Sequence, residues 1–278
     1  MITTAYRATA LSIAGSDSGG GAGIQADLAA FAYFQVHGTT AITAVTAQNP
    51  AAVTGIEALS PDLVRAQIAA VRSAFSLGAI KTGMLFSAPI IEAVAAALAD
   101  LGGTGLVVDP VMVATSGARL LREDAQAALA ACLLPLATLV TPNLPEAEIL
   151  LGRRLSTGAA AANAAQELAV RYGTAVVVKG GHADSDRVTD FLATTTSLHA
   201  FHAPRVAAAS THGTGCSLSS AVAACLALGD DLPVAFRRAK AYVLGRLRSC
   251  WQAGPVTVVM CPPAELPLAD IVWEILAS

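Results

Sequence analysis

Charge is scarce in this chain: Asp, Glu, Lys and Arg make up 13% of its 278 residues, and only three of them are lysines, Lys81, Lys179 and Lys240. The net charge of −3 gives no basic field, which argues against nucleic acid or an anionic membrane as the main partner. No apolar run approaches the roughly 18 residues of a membrane span. The five cysteines (132, 216, 225, 250 and 261) are odd in number, widely spaced and form no C-x-x-C pair. That pattern fits neither a disulfide framework nor a zinc site and favours a reducing, cytoplasmic setting. None of the lysines follows a glycine, so there is no Walker A loop. Residues 1–14 hold one Arg and a short apolar patch that runs into Gly15-Ser16-Asp17, which reads as a first strand and not a signal peptide.

What the chain has in abundance is core-forming sequence, with 54% hydrophobic residues and no repeat, low-complexity linker or charge block to divide it. A single domain over 1–278 is expected. Strand-like runs at 9–14, 40–47, 53–58, 78–82, 105–109, 137–141, 174–179, 188–193 and 197–202 alternate with helical runs. The helices are expected at 22–36, 61–74, 88–100, 122–131, 144–151, 158–172, 214–228 and 232–251. Runs such as Leu106-Val107-Val108 and Ala175-Val176-Val177-Val178 are continuously apolar, as in strands covered on both faces. The expectation is an α/β fold: a central, mostly parallel sheet flanked by helices on both faces.

Such sheets bind ligands at the carboxyl ends of their strands. The polar residues that end the expected strands are Gly15-Ser16-Asp17, Gln48-Asn49, Lys81-Thr82, Asp109, Thr141-Pro142-Asn143 and Lys179-Gly180-Gly181, which puts an active-site rim on one edge. Lys179 at such an edge, beside two glycines, suits a phosphate tail, against the alternative of a lysine snorkelling to solvent. Glu146 falls in the first turn of a helix after Asn143. It either complements the helix dipole or joins Asp109 in holding a hydrated Mg²⁺. Asp27 lies on the apolar stripe of its helix with Ile24, Leu28, Phe31 and Phe34, where a carboxylate is costly unless hydrogen-bonded or met by a ligand. A ligand role is the expectation. Gln48 carries an acceptor and two donors that match an aromatic amine beside a ring nitrogen. Met84 is core filler or a thioether against an aromatic ligand. Gly21-x-Gly23 follows a strand, but Gln48 and Asn49 stand where a dinucleotide site needs an acid.

The run Thr211-His212-Gly213-Thr214-Gly215-Cys216 opens an amphipathic helix marked by Leu218, Ala221, Val222, Cys225 and Leu226. Bare backbone N–H groups there can close on an anion, aided by the helix dipole. A thiol at a helix start can have its pKa lowered, which would let Cys216 act as a base; the alternatives are an anion-hole residue, or a plain glycine turn into a core helix with a buried Cys.

Together, the stretches AGSDSGGGAGIQADL (14–28), TAVTAQN (43–49), IKTGML (80–85), VVDPVMVATSG (107–117), TPNLPEAE (141–148), VVVKGGH (176–182) and STHGTGCSLSSAVAA (210–224) resemble the ribokinase-like superfamily. Within it they resemble the hydroxymethylpyrimidine/phosphomethylpyrimidine kinases of thiamine biosynthesis, over residues 8 to about 250. The resemblance implies a ribokinase-like fold without a large lid domain. It implies a pyrimidine held by Gly15, Asp27, Gln48, Met84 and Val111, and ATP along Asn143, Lys179, Thr211, Gly213 and Thr214. Mg²⁺ would lie near Glu146 and Asp109, and transfer would occur at Gly213, Gly215, Cys216 and Lys179, in a cytoplasmic homodimer. It further implies two successive phosphorylations, to the monophosphate and then the diphosphate. The tail after residue 252 departs from the family pattern, and Thr115 stands where some members have Lys. A pyridoxine-type kinase, a Cys216–His212 thiol site and a non-catalytic vitamin-binding protein are the competing readings.

Overall fold

The computed structural model describes residues 5–112, 123–155, 158–180, 186–255 and 257–277. Gly181, Thr115 and part of the helix expected at 122–131 lie outside them. Ten strands form one sheet in the order β12-β9-β8-β7-β6-β5-β4-β1-β2-β3. Its parallel heart comprises β1 (Ala8–Asp17), β2 (Val36–Asn49), β4 (Ala79–Thr82), β5 (Gly105–Val108), β6 (Leu139–Val140) and β7 (Ala175–Val178). Antiparallel strands extend both ends: β3 (Ala52–Ala58) beside β2, then β8 (Arg187–Ala193), β9 (Leu198–Pro204) and β12 (Val272–Ala277) beyond β7.

The apolar strands are apolar because both faces are covered. Leu106 and Val108 of β5 join a core with α2 (Pro61–Ala74), α3 (Ala88–Ala97), α4 (Glu123–Ala128), α5 (Leu144–Leu151) and α6 (Gly158–Tyr172). Val107, between them, faces the other core, built with α1 (Gly23–Tyr33), α7 (Thr214–Ala227) and α8 (Leu232–Arg248). This is the expected α/β arrangement of a mostly parallel sheet between two helical layers, with no separate lid domain among the described residues.

Several boundaries differ from the expected pattern: the strands expected at 9–14 and 40–47 run as Ala8–Asp17 and Val36–Asn49, and the helix expected at 88–100 ends at Ala97. The first helix ends at Tyr33, because Gln35 turns left-handed (φ 58°) and sends the chain into a β2 that begins at Val36. Left-handed backbone usually advertises itself with Gly, and here it does not. The last helix ends at Arg248, and β10 (Cys250–Gln252) pairs with β11 (Val258–Met260). The atypical tail then supplies the edge strand β12. Its Trp273 stacks on Phe201 with ring centroids 5.6 Å apart and donates to His199 Nδ1 at 3.1 Å.

Candidate active site

The carboxyl ends of the parallel strands and the start of α7 enclose a cavity of about 670 Å³, within the range of small-molecule sites. Its wall includes Gly15, Gln48, Met84 and Val111, together with Asn143, Glu146, Lys179, Thr211 and Thr214. Asp109, Gly213, Gly215 and Cys216 line it too. Apolar side chains complete the wall, among them Val188, Val206, Leu218, Val243 and Leu247.

Local structure explains how these residues arrive there. The pairing of β1 with β2 slips between Ala14 and Ser16, which brings Gly15 to the wall. A Cβ on Gly15 would lie 2.4 Å from Met84 Cε, so the glycine leaves room for the thioether. Asn143 caps α5: its side chain accepts from Glu146 N–H at 2.9 Å, and Glu146 Oε2 accepts from Asn143 N–H at 2.8 Å. This reciprocal capping box fixes the Glu146 carboxylate at the cavity wall, where the Met112 backbone also hydrogen-bonds to it. Lys179 ends β7 and bridges to Asn143 through Lys179 N–H and Pro142 O at 2.9 Å.

Asp27 is not at the wall. It is 0% exposed beneath the floor, with both carboxylate oxygens 2.9 Å from Lys81 Nζ, and it accepts from Ser12 Oγ and Ser220 Oγ. Those four contacts use its acceptor capacity, so the carboxylate is satisfied by the fold and not by a ligand. Lys81, also 0% exposed, reaches the cavity floor beside Cys216. Burial works against its charge, but Asp27, with help from Cys216 and Asp109, holds its pKa above the usual value.

The lowered thiol pKa that a helix start can give does not hold for Cys216 in the ligand-free protein. Burial pushes it up to about 11, against the favourable Lys81 charge, and Asp27 and Asp109 push the same way as burial. Gly213, left-handed at φ 81°, offers α7 no side-chain cap, so the bare first turn faces the cavity. His212 does not pair with the thiol: its Nε2 lies 2.9 Å from Asp17 Oδ2. The Cys216–His212 dyad is therefore not formed.

Lys179 Nζ lies 3.2 Å from Asp109 Oδ1, which Thr141 Oγ1 also reaches at 3.2 Å. Burial opposes the Lys179 charge, and Asp109 and Glu146 more than offset it. Burial and the neighbouring Asp109 raise Glu146 to about 7, in spite of Lys179. Two crowded carboxylates with oxygen donors alone fit Mg²⁺, which takes one or two carboxylates and leaves its other positions to water and phosphate. No group of three or more His, Cys, Asp or Glu side chains gathers as a metal site among the described residues.

Asp17 and His212 line the cavity, and so do two residues to which the sequence assigned no role, Asp190 and Lys240. Lys240 Nζ bonds Asp190 Oδ2 at 2.6 Å, and Asp190 Oδ1 accepts from Gly180 N–H at 2.8 Å, which ties the end of β7 to β8 and α8. Lys240 could have been singled out: all three lysines of the chain line this cavity, each paired with an aspartate.

Comparison with known proteins gives a consistent picture. The family model described as phosphomethylpyrimidine kinase matches residues 17–260. A hydroxymethylpyrimidine/phosphomethylpyrimidine kinase of Rhizobium meliloti is 49% identical over 237 residues, 85% of this chain and 89% of that protein. The thiamine biosynthesis bifunctional protein ThiED of Geobacter sulfurreducens is 45% identical over 87% of this chain, which spans 49% of that longer protein. Among solved structures, a pyridoxal kinase from Staphylococcus aureus in complex with ADP superposes with a TM-score of 0.86 at 30% identity, covering 98% of this chain and 99% of that one. A phosphomethylpyrimidine kinase from Clostridium difficile superposes with a TM-score of 0.76 at 37% identity, covering 86% and 98%.

Proposed function

The chain belongs to the phosphomethylpyrimidine kinase family, and from that premise we propose that it transfers phosphate from ATP to 4-amino-5-hydroxymethyl-2-methylpyrimidine and then to the monophosphate so formed. The observation that carries this reading is one cavity whose wall brings Gly15, Gln48 and Met84 together with Cys216, Lys179 and the apolar side chains of Val188, Val206, Val243 and Leu247. An aminopyrimidine suits the Gln48 and Met84 side chains and an adenine base the apolar ones. Gln48 supplies donors and an acceptor to the aminopyrimidine edge, with Met84 and Val111 against the ring. The triphosphate runs past Asn143, Lys179, Thr211 and Thr214 to the first turn of α7.

Phosphoryl transfer needs alignment and charge stabilisation more than covalent help. Lys179 and the N–H groups around Gly213 and Gly215 meet the charge on the transferring group. Asp109 and Glu146 would hold Mg²⁺, whose chemistry is to neutralise phosphate charge. The acceptor hydroxyl of the first step must lose a proton, and the small thiolate fraction of Cys216 receives it. The phosphate oxygen of the second step is already ionised and needs no base. The same reading places the enzyme in the cytoplasm as a single-domain homodimer. Exposed Val272, Ile275 and Leu276 on edge strand β12 support self-association, which sedimentation tests.

Mass analysis of products from the pure protein with Mg-ATP and the pyrimidine tests the activity: mono- then diphosphate is expected, and absence of both would refute it. A pyridoxal kinase reading has the superposition over 98% of the chain in its favour. Gln48→Ala separates the two. It should cost the pyrimidine about 1–2 kcal/mol in kcat/KM, the value of a hydrogen bond or two, and leave pyridoxal turnover nearly unchanged.

A further inference from the structure

Two glycine turns from distant parts of the chain meet at the cavity, and a carboxylate–imidazole pair fastens them together. Asp17, 2% exposed at the end of β1, accepts from Gly19 N–H with Oδ1 at 2.8 Å. Its Oδ2 accepts from Gly21 and Ala22 N–H at 3.1 and 2.8 Å. The same Oδ2 lies 2.9 Å from His212 Nε2, 195 residues later. Between the turns there is no space for another side chain. A Cβ on Gly213 would fall 1.8 Å from Gly21 O, and one on Gly21 would fall 2.4 Å from His212 Cδ2. Burial works against the Asp17 charge, but His212 and the backbone N–H groups hold its carboxyl below the usual range.

We propose that Asp17 and His212 are positioning residues that couple binding of the acceptor to binding of the nucleotide phosphates. Loop 19–23 leads into α1 beside Gly15 and the acceptor site, whereas the turn at Gly213 begins α7 and carries the phosphate-facing N–H groups. A ligand that draws one turn inward carries the other with it, so the second ligand meets a turn already placed. Such coupling is reciprocal: each ligand tightens the other by the same factor. The inference rests on the kinase reading above.

Calorimetric titration with a non-hydrolysable ATP analogue and the hydroxymethylpyrimidine, alone and together, measures that factor. The wild type should show about tenfold mutual tightening, and His212→Ala about onefold with each separate affinity within about threefold of wild type. His212→Gln, whose amide N–H can reach the same carboxylate oxygen, should restore most of the coupling, a rescue that a general loss of stability would not give. If His212→Ala does not fold, His212→Leu, which also removes the donor, carries the same expectation. A factor of one in the wild type, or the wild-type factor in His212→Ala, would overturn the coupling. Failure of the wild type to bind the pyrimidine at all would overturn the substrate reading and the coupling with it. Binding of both ligands without mutual tightening would overturn the coupling alone.

Discussion

Lys81 and Lys179 each end a parallel strand and each pair with an aspartate, yet the two pairs do opposite things. Lys81–Asp27 is sealed, with both side chains 0% exposed and every carboxylate lone pair engaged. Lys179–Asp109 opens on the cavity: the lysine side chain is 15% exposed and its contact is a long 3.2 Å. The Asp27 carboxylate has no acceptor left for a ligand, and the pair holds the floor under Cys216. A loose pair keeps donors in reserve, as polar groups of ligand-free active sites often do before they tighten on substrate. On the proposed function the same two residue types divide into scaffold and machinery, and burial separates the two pairs.

The largest effect should come from breaking the sealed pair. Lys81→Met leaves a buried carboxylate uncompensated and should cost about 3–5 kcal/mol in urea unfolding. The double substitution Lys81→Met with Asp27→Asn should recover much of that. If Lys81→Met unfolded like wild type, the division into scaffold and machinery would collapse. Lys179→Ala should show the inverse profile, with kcat lowered by about 10²–10³-fold (roughly 2.7–4 kcal/mol) and a much smaller change in unfolding free energy. A loss of stability matching Lys81→Met, with kinetics intact, would reverse the assignment of the two pairs.

A smaller effect sharpens the comparison through pH. Glu146 is raised from 4.5 to about 7 in the folded protein, so its folded state holds the proton more tightly than its unfolded state. Its contribution is fully present below pH 4.5 and is lost as pH rises through about 7. Ligand-free protein should lose on the order of 3 kcal/mol across that window from this group. Glu146→Gln should flatten the curve there, and an unchanged slope would mean that the carboxylate does not sit crowded beside Asp109.

Much of this was legible in the sequence, because strand ends in a parallel sheet must converge on one edge whatever the packing. Asp109 and Lys179 needed only that rule, and the Gly213 turn needed only the glycine run before an amphipathic helix. Asp27 shows where the reasoning stops. A carboxylate on an apolar stripe demands a partner, but the partner is 54 residues away on β4, and only the folded sheet brings it near. Cys216 fails for a related reason: position at a helix start is local, whereas the desolvation that outweighs it comes from the whole surrounding floor. Asp17 was visible as a strand end, but its link to His212 spans most of the chain. The β12 edge strand has only a short, mixed pattern, and its partner β9 decides its place.

The central claim is that one cavity performs both transfers and that the Cys216 thiolate is needed only for the first. The ratio of first-step to second-step rate across pH 7–9, followed by mass-resolved time courses, tests it most directly, since anything common to both steps cancels. With the thiol at about 11, the ratio should climb close to tenfold per pH unit in the wild type and stay level in Cys216→Ser, which slows the first step more than the second. A level ratio in the wild type, with equal losses in both steps on substitution, would contradict the account.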